Sequence, residues 1–247
     1  MAIFIAAHKQ FPYHETEGYV PLHVGAANGK TLPYTADNTG DNISAKNPNF
    51  CELTGVYWIW KNNTDAIKGL VHYRRYFTGK NGILSLGEAE NLLKEYDIIL
   101  AKTEYLRENA HDEFALHSGH SHDLDLLRQA VSKIDNSYLP AYDKIFAGNR
   151  LHLYNMMVSS REIFDEYCEW LFAVLFELEK HVNMEGYTPY QQRLYGFLSE
   201  RLLNVFVEHK KLKVKQLRVK NTEQTFKNAV KLFLRRQKNR IIFALNK

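Results

Sequence analysis

The sequence is poor in cysteine and in long apolar runs. It contains two cysteines, Cys51 and Cys168, and neither belongs to a metal-binding spacing, so we expect buried free thiols rather than a disulfide framework. No unbroken apolar run exceeds seven residues, whereas a membrane-spanning helix needs about 20. The opening residues MAIFIAAHKQ lack a basic segment and a small-residue cleavage site. These absences predict a cytoplasmic protein without a signal peptide or a spanning helix.

The motifs of several large enzyme classes are also absent. The sequence has no G-x-S-x-G nucleophile elbow, no G-x-x-x-x-G-K-[ST] phosphate loop and no G-x-G-x-x-G dinucleotide fingerprint. Hydrolase, kinase and dinucleotide-binding functions are therefore disfavoured. The composition also argues against wholesale disorder, because 45% of the residues are hydrophobic and 24% are charged, as in an ordinary globular domain.

Positive charge is concentrated in the last part of the chain. Residues 209–247 hold thirteen of the 32 lysines and arginines but one of the 28 acidic residues, Glu223, and so carry a net charge of +12. The remainder carries −8, although the whole chain has only +4. This division predicts a globular domain over residues 1–208 and a basic segment over residues 209–247 that meets a polyanionic surface.

Short apolar strands alternate with helices along the chain. Strands are predicted at residues 3–7, 69–73, 97–101 and 151–158, and helices at residues 51–61, 86–96, 124–134, 161–181 and 189–209. Residues 10–49 are expected to form a long functional loop. The alternation favours an α/β fold with a mostly parallel sheet, which binds ligands at the carboxyl ends of its strands. His8, Lys9, residues 72–75 and Lys102 are therefore predicted to share one crevice.

The motif VHYRRYF at residues 71–77 is the strongest chemical signal. Arg74 and Arg75 directly follow an apolar strand, where guanidinium groups are seldom found without partners. Their forked N–H donors match the oxygens of a phosphate group. The alternative is a pair of surface arginines that form salt bridges with neighbouring helices.

A second group of polar residues lies in TGDNISAKNPNFCELTGVYWIWKN at residues 39–62. Asp41, Asn42, Ser44 and Asn47 offer hydrogen-bonding groups to a hydroxyl-rich ligand. The same residue types also stabilise turns, and the aromatic residues that follow them are typical of a helix packed in the core. Both interpretations remain open from the sequence.

Histidines and acidic residues are concentrated at residues 111–123. Their spacing, H-x2-H-x-H, fits no standard zinc site, so no residue is assigned as a metal ligand. Asp123 and Asp125 spell the D-x-D pattern of many sugar-nucleotide enzymes. Because they open a predicted helix, where carboxylates bind the free N–H groups, helix capping is the favoured role.

Charged residues interrupt the apolar pattern of the helix predicted at residues 189–209. The spacing of Arg193, Glu200 and Arg201 brings Glu200 near an arginine on the helix surface. A carboxylate in this setting acts either as a general base or as half of an internal ion pair. The spacing alone supports both roles.

Several motifs, taken in order, resemble one enzyme family. They are IAAHK, YVPLHVGAA, GDNISAKNPNFCELTGVYWIWKN, GLVHYRRYF, YDIIL, NMMVSSREIFDEYCEWLF and GFLSERLLNVF. Together they resemble glycosyltransferase family 111, whose members build bacterial exopolysaccharide, capsule and O-antigen. The resemblance covers residues 3–206. It implies a GT-A-like fold that transfers a hexose, galactose or galactofuranose, from a UDP-sugar to a growing glycan.

The resemblance also implies roles for individual residues. Most GT-A enzymes hold a metal on the donor diphosphate with a D-x-D motif, and VHYRRYF is found at the corresponding place here. His72, Arg74 and Arg75 are therefore expected to neutralise the diphosphate, which leaves a requirement for Mn²⁺ or Mg²⁺ open. The residues expected to bind the rest of the donor are Ala6, Ala7, His8, Lys9, Asp41, Asn42 and Ser44. The candidate bases are Glu200, then His120 and Asp123, with Arg193 and Arg201 as further site residues.

The expected partners follow from the resemblance and from the charge distribution. They are a UDP-sugar donor, a glycan or lipid-linked oligosaccharide acceptor, and an anionic membrane surface at the inner face of the cytoplasmic membrane. Phe226, Val230, Phe233 and Leu234 form an apolar helical stripe among lysines and arginines that would bind this surface. The alternative is that the stripe packs on the domain or on a second subunit. A polyanion-binding protein and a membrane-surface sugar-phosphate-processing enzyme are alternative functions, and the sequence carries no nucleic-acid-binding signature.

Overall fold

The structure is a computed structural model that describes residues 1–12, 16–29, 31–224 and 226–245. Its strands are β1 Ala2–Ala7, β2 Tyr19–His23, β3 Thr35–Ala36, β4 Ile67–His72, β5 Arg75–Gly79, β6 Gly82–Ile83, β7 Ile98–Ala101, β8 Glu104–Tyr105, β9 Arg150–Leu151, β10 Met157–Ser160, β11 Val214–Leu217 and β12 Val219–Asn221. Its α-helices are α1 Asn47–Phe50, α2 Leu53–Asn62, α3 Leu86–Leu93, α4 Ala110–His117, α5 Ser121–Asp135, α6 Leu139–Ala147, α7 Arg161–Glu179, α8 Leu194–Lys210 and α9 Phe226–Leu245.

A mixed sheet forms the centre of the fold, in the order β11-β7-β10-β4-β1-β2-β3. Neighbouring strands are parallel except at β10, which is antiparallel to both β7 and β4. Every residue of β1 is buried, as expected for an inner strand that is covered on both faces. β4 continues through a tight turn into β5, which pairs with β6 and β12. The predicted α/β fold with a mostly parallel sheet is confirmed.

Two apolar clusters cover the two faces of this sheet. The larger cluster contains Phe4 and Leu70 together with the buried sides of α2, α5, α7 and α8. The smaller cluster contains Ile5 and Val71 together with residues of β5 and α3. Because successive residues of a strand point to opposite faces, Phe4 and Ile5 contribute to different clusters. Both faces of β1 and β4 are therefore buried, while the carboxyl ends of these strands stay accessible.

The prediction of one long loop at residues 10–49 is wrong in part, because these residues include β2 and β3. β2 pairs in parallel with β1, and Pro21 lies opposite Ile5. Proline lacks an N–H and is rare inside a sheet, so its presence at position 21 argues against a strand when only the sequence is considered. The chain after β2 is held by the buried carboxylate of Asp37, which accepts the N–H groups of Gly25 at 2.8 Å and Ala26 at 3.0 Å.

Residues with positive φ interrupt two of the predicted elements. The helix predicted at residues 51–61 begins only at Leu53, because Cys51 has a φ of 52° and separates α1 from α2. The strand predicted at residues 151–158 is split into β9 and β10, and Tyr154 and Asn155 between them have φ values of 82° and 51°. Non-glycine residues seldom adopt such angles, so both interruptions are constrained turns.

The basic segment of residues 209–247 is not helical throughout, which corrects the expectation of a helical tail. β11 pairs in parallel with β7, and β12 pairs with β5 in the antiparallel sense. In the stretch KVKQLRVK apolar and polar residues alternate except at Lys215 and Gln216, and such alternation is typical of a strand. The domain division at residue 208 stays a prediction. α9 follows, and the side chains of Phe226 and Lys227, which belong to the predicted stripe and its surroundings, lie outside the described residues.

Across the described residues, no helix combines the length and the apolar character that crossing a bilayer requires.

Candidate active site

A cleft of about 590 Å³ opens at the carboxyl ends of β1 and β4, the edge at which parallel sheets commonly bind ligands. Its lining residues are Ala6, His8, Val24, Asn47, Pro48, Cys51, Glu52, His72, Tyr73, Arg74, Arg75, Leu153, Tyr154, Arg193, Phe197 and Glu200. A second, shallower cavity of about 290 Å³ is lined by Arg128 and Asp143, which pair with each other. The larger cleft is therefore the candidate site.

A tight turn places two arginines in this cleft. β4 ends at His72 and β5 begins at Arg75, and these two residues face each other across the hairpin. Tyr73 and Arg74 form the turn between them. The N–H of Tyr73 donates to the carbonyl of Ala6 at 3.1 Å, which holds the turn against the end of β1. The arginines of VHYRRYF thus lie beside the ends of two parallel strands.

Arg75 and Arg193 approach the cleft from opposite parts of the chain. The guanidinium of Arg75 lies over the ring of Tyr154, 4.7 Å from its centroid. Arg193, just before α8, donates from Nε to the sulfur of Cys51 at 3.3 Å. Burial raises the pKa of the Cys51 thiol to about 11, so this thiol stays neutral. Among the residues that the structure describes, neither arginine forms an ion pair with a carboxylate.

The mouth of the cleft carries further positive charge. Burial lowers the pKa of His8, and the positive charges of Lys9, Arg74 and Arg193 lower it further. Nitrogens of Lys9 and Arg74 lie 3.7 Å and 3.6 Å from the carboxylate of Glu223. Glu223, the one acidic residue of the basic segment, thus sits where an external anion would meet these cations.

Glu200 is the carboxylate with the most altered acidity in the cleft. Its Oε1 accepts a hydrogen bond from the N–H of Tyr154 at 2.7 Å. Burial raises the pKa of Glu200 to about 7; the charge of Arg201 opposes this shift and that of Glu52 reinforces it. A carboxylate with a pKa near neutrality can take up and release a proton at physiological pH. Glu200 therefore has the properties of a general base.

The turn at Tyr154 and Asn155 connects the parts of the site. Nδ2 of Asn155 donates to Oε1 of Glu52 at 2.9 Å, and Oδ1 of Asn155 accepts from the hydroxyl of Ser199 at 3.0 Å. Nε2 of His72 lies 2.6 Å from the carbonyl of Tyr154. Because a carbonyl can only accept, this nitrogen carries the proton. Burial lowers the pKa of His72, so its imidazole is neutral.

The structure brings many of the predicted site residues together. Those that line the cleft are Ala6, His8, His72, Arg74, Arg75, Arg193 and Glu200. Lys9 lies at the mouth beside Glu223, and Ala7 is buried in β1 directly before His8. Lys102, predicted for the same crevice, does not line it. The roles of these residues in donor binding and catalysis stay predictions.

Asp41, Asn42 and Ser44 do not line the cleft; the side chains of Asn42 and Ser44 bond within the loop before α1, and that of Asp41 bonds to α2. Oδ1 of Asp41 accepts from the hydroxyl of Tyr57 at 3.1 Å, and Oδ1 of Asn42 accepts from the N–H of Ser44 at 3.2 Å. The hydroxyl of Ser44 is buried and donates to the carboxylate of Asp37. The turn-forming alternative describes these three residues.

His120, Asp123 and Arg201 also lie outside the cleft lining. The N–H of His120 donates to Oδ2 of Asp123 at 2.9 Å, and the hydroxyl of Tyr187 donates to Oδ1 at 2.6 Å. This confirms the predicted capping role of Asp123 at the start of α5. Arg201 is buried and forms an ion pair with Glu113 of α4 rather than with Glu200.

The sequence analysis assigns no site role to Glu52, Tyr154 or Glu223. Glu52 stands at the break between α1 and α2, and an acidic residue inside the apolar stretch NFCELTG was its one visible sign. Tyr154 contacts Glu200 and His72 through its backbone, which no side-chain pattern reveals, and Arg75 through its ring. Glu223 is conspicuous as the single acidic residue of the basic segment.

Within the described part of the chain, no three His, Cys, Asp or Glu side chains converge in the way that a bound metal ion requires. The side chains present therefore do not fit a divalent cation held by the protein alone.

Comparison with known proteins adds a family and one structural relative. Residues 2–211 match the family model described as "Domain of unknown function (DUF4422)". The apo structure of WbbM, a bifunctional glycosyltransferase, resembles this fold with a TM-score of 0.85 at 28% identity, which supports the expected glycosyltransferase-like architecture. The similarity covers 91% of this chain and 45% of the WbbM chain, so this chain spans about half the length of that protein. No curated protein matches the sequence significantly. Since the family model covers most of its length, the chain belongs to the DUF4422 family.

Proposed function

We propose that this chain is a glycosyltransferase that moves a hexose from a UDP-sugar to a hydroxyl group of a glycan. The observation that carries the proposal is the cleft lined both by arginines and by Glu200, a half-buried carboxylate with a pKa of about 7. Transfer from such a donor needs positive charge at the departing diphosphate and a base at the acceptor hydroxyl. The similarity of the fold to WbbM, itself a glycosyltransferase, supports this class of reaction.

Arginines from two sides of the cleft form the proposed diphosphate site. Arg74 and Arg75 stand at the turn after β4, and Arg193 faces them from the start of α8. A guanidinium group can donate two parallel hydrogen bonds to phosphate oxygens, and its charge stabilises the negative charge that develops on the leaving UDP. The nucleoside then lies along the end of β1, near Ala6 and His8, which line the same cleft.

Glu200 is the proposed base, and its backbone partner orients it. As the acceptor oxygen forms its bond to the anomeric carbon, Glu200 takes the hydroxyl proton. The bond from that carbon to the diphosphate oxygen breaks, and its electron pair leaves on UDP. The N–H of Tyr154 fixes the carboxylate through Oε1. Such a direct displacement inverts the configuration of the transferred sugar.

The finer identity of the reaction rests on the family resemblance. We propose galactose or galactofuranose as the hexose, glycosyltransferase family 111 as the class, and a capsule, O-antigen or other cell-surface polysaccharide as the product. The acceptor is then a lipid-linked oligosaccharide at the inner face of the cytoplasmic membrane.

A panel of donors tests the proposed function. The full chain is incubated with UDP-galactose, UDP-galactofuranose and UDP-glucose and with galactose-terminated acceptors, and the products are identified by mass spectrometry and NMR. We expect one donor to give an elongated glycan of inverted configuration together with an equal amount of UDP. Free sugar or sugar phosphate without any elongated product would instead favour a sugar-phosphate-processing enzyme. Polyanion binding without turnover would favour a polyanion-binding protein.

A further inference from the structure

The last helix, α9, presents an apolar stripe to solvent. Val230, Leu234 and Ile241 are 43%, 61% and 60% exposed, and the neighbouring Phe233 is 56% exposed. Positions 230, 234 and 241 are four and seven residues apart, and residues at these intervals share one face of an α-helix. Contiguous exposed apolar side chains commonly mark a surface that meets a partner or a membrane.

The opposite face of α9 is held against the domain. The guanidinium of Arg236 forms an ion pair with the carboxylate of Glu104 in β8. Nδ2 of Asn239 donates to the carbonyl of Tyr105 at 3.0 Å, and the guanidinium of Arg240 lies 5.9 Å from the ring centroid of the same tyrosine. These contacts fix the rotation of the helix about its axis. Because positions 236 and 239 face β8, the stripe faces away from the domain.

Positive side chains flank the apolar stripe. Lys231, Arg235 and Lys238 are exposed and recur at intervals of four and three residues along one side of it. Residues 226–245 contain no aspartate or glutamate. In the portion of the chain that the structure describes, Lys231, Arg235 and Lys238 form no ion pair. An apolar stripe bordered by cations is typical of a helix that lies in the interface of an anionic bilayer.

We infer that α9 docks this protein on an anionic phospholipid surface, with Val230, Phe233, Leu234 and Ile241 inserted among the lipids and the flanking cations on the head groups. Charge complementarity favours lipid over a second copy of the chain. Two α9 stripes packed face to face would bring their rows of cations together, which costs free energy. Docking through α9 would hold the proposed glycosyltransferase at the membrane. The observations for it come from α9 alone, so it does not require that sugar transfer occurs.

α9 and the cleft wall are connected through the strand pair β8 and β9. β8, which contacts α9, pairs with β9. The chain then runs from β9 directly to Leu153 and Tyr154, which line the cleft.

Co-sedimentation of the full chain with vesicles tests the inference. Vesicles of phosphatidylcholine alone are compared with vesicles that contain phosphatidylglycerol, at low and at high salt. We expect at least about tenfold more binding to the anionic vesicles at low salt and loss of most of it at high salt, because the head-group charge supplies much of the attraction. A chain that stays in the supernatant with both kinds of vesicle at low salt would overturn the inference.

A matched pair of variants separates the stripe from exposed apolar surface in general. Leu234→Ser with Ile241→Ser removes part of the stripe and leaves the contacts of Arg236 and Asn239, and we expect binding to fall about tenfold or more. Leu116→Ser is the control, because Leu116 is 65% exposed on α4, and it should bind like the wild type. Equal vesicle binding by the double variant and the wild type would contradict the inference.

Two further measurements keep the result unambiguous. Circular dichroism shows whether the double variant keeps its helices, and a triple variant, Lys231→Gln, Arg235→Gln and Lys238→Gln, tests the same face without touching apolar residues. A dimer that dissociates in the double variant, with no vesicle binding by the wild type, would assign the stripe to a second copy and overturn the inference. UDP affinity should be unchanged in all these variants, which separates a failure here from a failure of the proposed function.

Discussion

Glu200 differs from an exposed glutamate because its position in the cleft raises its pKa to about 7. Replacing it with glutamine keeps the side-chain shape and removes the proposed base. We expect Glu200→Gln to lower kcat by about 10²- to 10⁴-fold, the usual worth of general base catalysis, with UDP affinity unchanged. The transfer assay and calorimetry with UDP measure the two quantities separately. Loss of UDP binding along with kcat would contradict the assignment, because it would place Glu200 in donor binding.

The pKa of Glu200 gives this prediction a pH dependence of known sign. The base acts when ionised, so the wild-type kcat/KM should fall as the pH drops below about 7 and level off above it. The pKa of Glu200 is 4.5 in the unfolded chain and about 7 in the folded protein, so between these pH values the folded protein keeps a proton that the unfolded chain has released. The contribution of this group to the free energy of unfolding is therefore lost as the pH rises from 4.5 to about 7. Glu200→Gln should therefore be no less stable than the wild type at alkaline pH. A flat pH profile across neutrality would contradict the account.

At the residue scale, charged side chains in apolar surroundings were predictable and backbone roles were not. Arg74, Arg75 and Glu200 stand out from the sequence because each interrupts an apolar pattern, and all three line the cleft. Asp123 was an ambiguous case, because a carboxylate that caps a helix looks the same in sequence as one that takes up a proton. The N–H of Tyr154 could not be found, since every residue but proline has one.

Strand β12 carries the tail back to the cleft and places Glu223 at its mouth. The N–H of Thr222 donates to the carbonyl of Arg74 at 3.0 Å, which holds this segment beside the arginine turn. The carboxylate of Glu223 then competes with a phosphate for Lys9 and Arg74. Glu223→Gln should raise the affinity for UDP by about two- to fivefold, as expected for removing an exposed competing charge. Glu95→Gln, on an exposed glutamate elsewhere, is the control, and calorimetry at low salt is the measurement. An unchanged or weaker affinity would show that Glu223 does not occupy the donor site.

The turn between β4 and β5 also bears on metal dependence. It presents Arg74 and Arg75 as fixed positive charge, whereas a metal-dependent site would need converging carboxylates. Transfer should therefore stay within about twofold of its starting rate after treatment with EDTA. Complete loss of transfer that Mn²⁺ restores would show that a cation shares the work of these arginines.

At the element scale, predictions failed where one residue broke a regular pattern. Pro21 concealed β2, and the positive φ of Cys51 divided a stretch that reads as one helix. The strands of the basic segment were hard to predict for a different reason, because positive charge dominates this segment and Lys215 and Gln216 interrupt the alternation of apolar and polar residues in β11. The strands at the centre of the sheet were predictable because their apolar runs are buried on both faces.

At the scale of the whole molecule, the positive side chains form two groups, one in the cleft and one on α9. The arginines at the ends of β1 and β4 face the cleft, and the exposed cations of α9 face away from the domain. The proposed donor, which carries two phosphates, and the proposed anionic membrane would thus bind at separate surfaces. The net charge of +12 on residues 209–247 predicts the second surface, and the fold shows that α9 contacts β8, whose partner strand β9 leads into the cleft wall.

The central claim is that the cleft binds a nucleoside diphosphate through its arginines. Titrating UDP into three proteins tests this claim most directly. They are the wild type, Arg75→Ala and Arg107→Ala, in which Arg107 is a surface arginine whose side chain is 73% exposed. We predict that the wild type and Arg107→Ala bind UDP equally, and that Arg75→Ala binds it at least about tenfold more weakly, because a charge-assisted hydrogen bond to phosphate is lost. Equal affinity of all three proteins, or no binding of UDP by the wild type, would contradict the account.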